Sequence, residues 1–83
     1  MRLRVRLFAT YREIVGERQL AWAARDGIRL RELLDGILVR YPRLAAHRDT
    51  MLLAVNHAVA NPDVVLKEGD EVALLPPVSG GRA

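Results

Sequence analysis

The chain contains no cysteine. That excludes disulfides, thiolate metal sites and any thiol nucleophile. Hydroxyl side chains are scarce, limited to Thr10, Thr50 and Ser79 plus the phenols Tyr11 and Tyr41, and the only histidines are His47 and His57. No apolar run approaches the ~20 residues that a membrane-spanning helix needs. Met1 is followed by alternating charge rather than by the apolar stretch of a signal peptide. A cytoplasmic location with no membrane partner is therefore expected. Lysine is also nearly missing: Lys67 stands alone among 13 basic residues, the rest being arginine. Against 10 acidic residues this leaves a formal net charge of +3. Arg2, Arg4 and Arg6 account for that surplus, and without them the chain is close to neutral. Despite a sequence pI near 10.2, so small an excess argues against a nucleic-acid partner.

With 83 residues the chain has room for one domain. A chain of this size buries only about 60–65% of its unfolded surface, close to the lower limit for folding alone. It is 51% hydrophobic and 28% charged, with a mean hydropathy of +0.03. This composition fits a compact globule and excludes disorder. Without disulfides, the fold must rest on apolar packing or on a partner.

Residues 2–8 (RLRVRLF) alternate, with Leu3, Val5 and Leu7 on one side and Arg2, Arg4, Arg6 and Phe8 on the other. Period two marks a strand with one buried face, and it accounts for the arginines as a solvated face. In residues 10–16 (TYREIVG), Thr10 and Glu13 have the spacing of a capping box at the start of a short helical turn that Gly16 ends. Residues 18–24 (RQLAWAA) read as a second strand, although three alanines favour helix. After an Asp26-Gly27 turn comes the clearest element. Leu30, Leu33, Leu34, Ile37, Leu38 and Tyr41 fall at helical spacing on one face, and Pro42 ends the run. Residues 43–50 form a polar connector with room for a helical turn at LAAH. MLLAVN (51–56) is expected to be a strand, Asn56-His57 a tight turn, and HAVA (57–60) its return strand. Asn61-Pro62-Asp63 turns the chain again, VVL (64–66) follows, and EVALL (71–75) forms a last strand closed by Pro76-Pro77.

The order β, β, α, β, β, β gives one long helix one face of a small mixed sheet to cover. A right-handed crossover then lays the last strand parallel to the first. The expected fold class is α+β, a β-grasp or ubiquitin-like roll, with the domain spanning residues 1–75 and a flexible tail spanning 76–83.

Little in the chain supports catalysis by itself. There is no GxSxG elbow, and Ser79 lies in the tail. The spacing His47, Asp49, His57 matches no metal-ligand motif, so no metal site is expected. The glycines at 16, 27, 36 and 69 are too scattered for a phosphate cradle. Glu68, Asp70 and Glu71 read as a solvated turn. The unusual segment is the end, LLPPVSGGRA. Two prolines stop the strand and favour an extended exit. Residues 78–81 have almost no side-chain bulk and reach about 13–14 Å when extended. On composition alone, a frayed terminus is the favoured reading of this segment.

Three motifs carry a resemblance. LFATYREIVG (7–16), LLAVNHAVA (52–60) and above all LKEGDEVALLPPVSGG (66–81) resemble the ubiquitin-like sulfur carriers, specifically the small subunits of molybdopterin synthase (MoaD). The thiamine-pathway carriers of the same group are shorter and usually lack the Pro-Pro step. The resemblance implies a sulfur-donating small subunit, not an enzyme by itself, whose catalytic residues lie in the large subunit. It implies that the Gly81 carboxylate is adenylated by a MoeB-like partner with ATP and Mg, becomes a thiocarboxylate, and donates sulfur for the molybdopterin dithiolene. It implies no cofactor bound by the chain itself. Gly80 and Gly81 would thread partner channels too narrow for a side chain. Sulfur carried on the main-chain terminus needs no cysteine.

The residues that match the family's partner-facing patch are Phe8, Val59 and Leu75, followed by Pro76, Pro77 and Val78. Arg12 matches an arginine of the turn motif and is expected to meet an acidic partner group. Ordinary core or rim packing is the alternative reading of Phe8, Val59 and Leu75. The implied assembly is a heterotetramer with the large subunit. Chains of this family usually end at the second glycine, whereas here Arg82 and Ala83 follow. A peptide bond at Gly81 cannot be adenylated, so both residues are expected to be removed first. Other destinations remain open: tRNA thiolation, cysteine or thiamine synthesis, attachment to proteins as a ubiquitin-like modifier, or a plain binding module.

Overall fold

The computed structural model describes residues 1–77. Five strands form one sheet: β1 (Arg2–Leu7), β2 (Gln19–Ala23), β3 (Leu52–Val55), β4 (Ala58–Val59) and β5 (Glu71–Leu75). Their order is β2-β1-β5-β3-β4. β1 pairs antiparallel with β2 and parallel with β5, and β3 pairs antiparallel with both β4 and β5. The parallel contact between first and last strands at the centre of a mixed sheet is the β-grasp arrangement expected from the element order.

The helices are α1 (Ala9–Val15) and α2 (Leu30–Arg40), followed by a 3-10 helix over Pro42–Thr50. α2 is amphipathic as its spacing requires: Leu30, Leu33, Leu34, Ile37 and Leu38 are buried. They meet Leu3, Val5 and Leu7 of β1, Leu53 of β3, and Val72 and Leu74 of β5 in a single core. Trp22 of β2 closes one side, with its ring edge 3.5 Å from where a Cβ on Gly36 would stand. At the N-terminus of α2 the Glu32 carboxylate accepts the Arg29 N–H at 2.9 Å. That bond lowers the Glu32 pKa below its ordinary value, with Arg25 and Arg29 adding to the effect.

Several expectations change on contact with the structure. Thr10 does not cap α1. The helix begins two residues earlier than a Thr10 cap would place it, with Phe8 at the N-cap position and no side-chain cap. Phe8 holds the extended backbone needed to bond Leu74, its N–H reaching that carbonyl at 3.3 Å, so the helix starts where β1 lets go. The C-terminal end of α1 is as expected: Gly16 sits at φ 87 and its N–H bonds the Arg12 carbonyl at 2.8 Å. The connector after α2 is a 3-10 helix of 9 residues rather than a brief turn at LAAH, anchored in the core by Leu44. As expected, VVL (64–66) adds no strand to the order. Val65 makes only an isolated bridge to Arg29.

The acidic turn is not simply solvated. Glu68 accepts the Arg2 N–H at 2.9 Å, Asp70 accepts from Lys67 N–H and the Asn56 amide, and Glu71 pairs with Arg4 and Arg6. The turn is thereby fastened to both β1 and the β3–β4 hairpin.

Candidate functional site

The sheet has two faces. α2 covers one. The other carries the alternate residues of each strand, arranged by register into three rungs. Nearest the end of β5, Leu75 pairs with Leu52 of β3, while Phe8 follows Leu7, the partner of Leu74. The middle rung runs Arg6, Ala73, Ala54, Val59. The third holds Arg4 opposite Glu71, with the Asn56 side chain accepting the Glu71 N–H at 3.0 Å.

The rungs grade from ionic to apolar along β5. Glu71 is held between Arg4 and Arg6 at 3.6 and 3.2 Å. Arg6 also lies 5.0 Å from the centre of the Phe8 ring, a cation–π contact that orients the ring on this face. Beyond it the surface is apolar and open: Val59 is 85% exposed and Leu52 43%, while Phe8 and Leu75 are half-buried. Pro76 and Pro77 leave the sheet directly from this rung, with Pro77 exposed.

The β3–β4 hairpin that presents Val59 turns tightly. Asn56 and His57 both adopt positive φ, 51 and 72, the backbone of a two-residue turn that follows the twist of the sheet. This places His57 in the turn itself. His47 instead packs its ring 5.4 Å from that of Tyr11. Among the described residues, no three His, Asp or Glu side chains converge to hold a metal.

Tyr11 is buried, and its hydroxyl has no hydrogen-bond partner among the described residues. Thr50 lies beside it, but the Thr50 hydroxyl donates to the His47 carbonyl at 3.3 Å. Burial raises the Tyr11 pKa, and proximity to Thr50 offsets only part of the rise.

Of the residues singled out in the sequence, Phe8, Val59 and Leu75 share one face, with Pro76 and Pro77 at its edge. Arg12 stands apart. It is exposed in the last turn of α1 and forms no ion pair among the described residues. Val78, Gly80, Gly81, Arg82 and Ala83 lie outside the described residues. Leu52 belongs to the patch and was missed. The signal was available: in LLAV the second leucine faces the core, so strand alternation turns the first one out. No helix among the described residues is long and apolar enough to cross a membrane.

Comparison with known proteins agrees with this architecture. The molybdopterin synthase sulfur carrier subunit of Chlamydomonas reinhardtii is 36% identical over 83 residues, covering 98% of this chain and 100% of the relative. The crystal structure of SAMP1, a small archaeal modifier protein of Haloferax volcanii, superposes with a TM-score of 0.86 at 28% identity, covering 98% of this chain and 100% of that one. A chain from the protein–protein complex of subunits 1 and 2 of molybdopterin-converting factor from Helicobacter pylori superposes with a TM-score of 0.70 at 33% identity, covering 98% and 100%. The model of the ThiS family matches residues 5–81, from within β1 through β5 to the Gly-Gly sequence. By that match the chain belongs to the ThiS family.

Proposed function

We propose that this chain is the sulfur-carrier subunit of a molybdopterin synthase. The observation that carries the reading is the open apolar rung of Phe8, Leu75 and Leu52, with Val59 beside it, at the root of a segment whose sequence is Pro-Pro-Val-Ser-Gly-Gly. In this reading the outer face docks on the large subunit, and Pro76, Pro77 and Val78 direct the terminus toward its reaction centre. Arg12 adds an ionic contact at the margin. The name of the Chlamydomonas relative and the two-subunit complex from Helicobacter support the assignment.

The chemistry follows from the needs of a carboxyl group. Hydrolysis between Gly81 and Arg82 frees the Gly81 carboxylate. That group is a poor electrophile until a partner transfers AMP to it from ATP and Mg, releasing pyrophosphate. A sulfur donor then displaces AMP to leave a thiocarboxylate. Transfer of that sulfur to the acceptor bound by the large subunit, with water supplying the replacing oxygen, returns the carboxylate. Gly80 and Gly81 let the backbone pass where a Cβ would collide. Ordering four tail residues costs roughly 4–8 kcal/mol at 1–2 kcal/mol each, which the docked apolar face must offset. Two large and two small subunits make up the assembly in this reading.

The test uses protein ending at Gly81 together with its adenylating enzyme, ATP, Mg and a sulfur donor. Intact mass should rise by the exchange of one oxygen for sulfur at the terminus. Gly81→Ala should cripple transfer and leave the melting temperature unchanged. An adenylating enzyme shown to be active on another carrier, yet leaving this mass unchanged, would overturn the reading. The likeness to an archaeal modifier protein favours one alternative, attachment through Gly81 to protein lysines. Isopeptide-linked products in place of sulfur transfer would select it. Intact mass from the native host should lack both Arg82 and Ala83.

A further inference from the structure

β2 lies at one end of the sheet, and β1 is its only strand partner among the described residues. Edge strands are normally protected from further pairing by charge, proline or a bulge. β2 reads QLAWA and has none of these: it carries no charge and no proline, and its register with β1 is unbroken from Gln19 to Ala23.

The direction of its backbone groups can be worked out. Ala24 and Met1 exchange hydrogen bonds in both directions, at 2.8 and 3.0 Å. At the other end, the Leu7 N–H reaches the Arg18 carbonyl at 2.9 Å. Hydrogen-bonded pairs alternate in an antiparallel ladder, so Arg18, Leu20, Trp22 and Ala24 face β1. The N–H and C=O groups of Gln19, Ala21 and Ala23 therefore point outward along the open edge, and all three residues are exposed.

We propose that this edge pairs with the same edge of a second copy of the chain, antiparallel, across a two-fold axis at Ala21. The sequence 17–25, ERQLAWAAR, complements itself in that register. Gln19 meets the second copy's Ala23, and Ala21 meets Ala21. All are outward-facing residues, so the three pairs exchange about six main-chain hydrogen bonds. On the helix-covered side, Leu20 meets Trp22, each half-buried in its own subunit and able to extend the apolar layer across the junction. At each end Glu17 meets Arg25, giving one opposite-charge pair per end. Arg25 also holds Glu32 within its own subunit at 2.5 Å, so its guanidinium is already fixed near the strand end.

The product is one sheet of ten strands with both α2 helices on the same side. Because β1 and β5 separate the junction from β3, the Phe8–Leu75–Leu52 rung stays open in each copy. The two β5 strands run in opposite directions, so their C-terminal ends face opposite ways. Self-pairing is thus compatible with docking on another protein.

Sedimentation equilibrium of the full chain from about 10 µM to 1 mM covers the weak range expected of so small an interface. A concentration-dependent dimer is expected, with amide exchange at Gln19, Ala21 and Ala23 slowing as it forms. Ala21→Lys places two like charges on the axis and should weaken the dimer several-fold, and Ala21→Glu should do the same. An equimolar mixture of A21K and A21E should regain association, since opposite charges then meet. Melting curves of both variants confirm that the monomer is folded. A wild-type protein that stays monomeric throughout would overturn the proposal. So would a dimer indifferent to Ala21→Lys, a mixture that fails to recover, or capture of an extended segment of another protein at β2 with no self-association.

Discussion

Val59 provides the sharpest test of the proposed docking face, because its exposure separates binding from folding. The side chain is 85% exposed, on the second residue of a two-residue strand. Removing it should cost the isolated domain less than about 0.5 kcal/mol, as surface changes usually do. Fully burying a valine is worth about 1.5–3 kcal/mol. Nearly all of that remains to be gained on docking, and 85% of it is roughly 1.3–2.6 kcal/mol. At 1.4 kcal/mol per decade, Val59→Ala should raise the dissociation constant for the large subunit by at most about 10- to 80-fold. The true value falls toward the lower end, because alanine keeps one methyl group. Val59→Asp should be worse, since it also buries an unpaired carboxylate. The assay is calorimetric titration of the large subunit with each variant, alongside thermal melts. Unchanged binding by both variants, with melts matching wild type, would remove Val59 from the interface and refute the reasoning that joins it to Leu75 and Phe8.

Other expectations follow from the same geometry. Tyr11→Phe removes a buried hydroxyl without a partner, whose burial costs about 1–3 kcal/mol. The variant should be stabler by about 1 kcal/mol, or roughly 4–8 °C in Tm for a domain of this size, and a comparable loss would mean that the hydroxyl is satisfied after all. The raised pKa of Tyr11 sets the sign of the alkaline limb. Its contribution is fully present below the unfolded value near 10, then is lost as pH rises through the folded value. Chemical-denaturation curves of Tyr11→Phe above about pH 10 should accordingly lose less stability than wild type. His57 sits at φ 72, where glycine is at ease. His57→Gly should therefore gain about 0.5 kcal/mol by the same denaturation measurement, the relief of left-handed strain exceeding the added chain entropy.

Elements with a strong local period were legible in the chain. RLRVRLF alternates and is a strand. LRELLDGILVR repeats at helical spacing and is a helix. EVALL ends at two prolines and is a strand. Where non-local bonds decide, local reading falls short. Thr10 and Glu13 have the spacing of a cap, yet the Phe8–Leu74 hydrogen bond fixes the start of α1 earlier. Glu68, Asp70 and Glu71 look like a solvated turn, yet their partners Arg2, Arg4, Arg6 and Asn56 come from strands far away in sequence.

The same division runs through the candidate site. Sequence alone determined the chemical inventory: no thiol, three aliphatic hydroxyls, two histidines, and a Gly80-Gly81 pair followed by Arg82 and Ala83. It also determined which residues of each strand share a face, because side chains alternate with period two whatever the partners. Only the tertiary structure decided which faces meet. Setting β5 between β1 and β3 is what brings Phe8, Leu75 and Leu52 into one rung and Val59 to its side, although they come from four separate segments. Register is a property of paired strands and of the core that selects one pairing, so no single segment contains it.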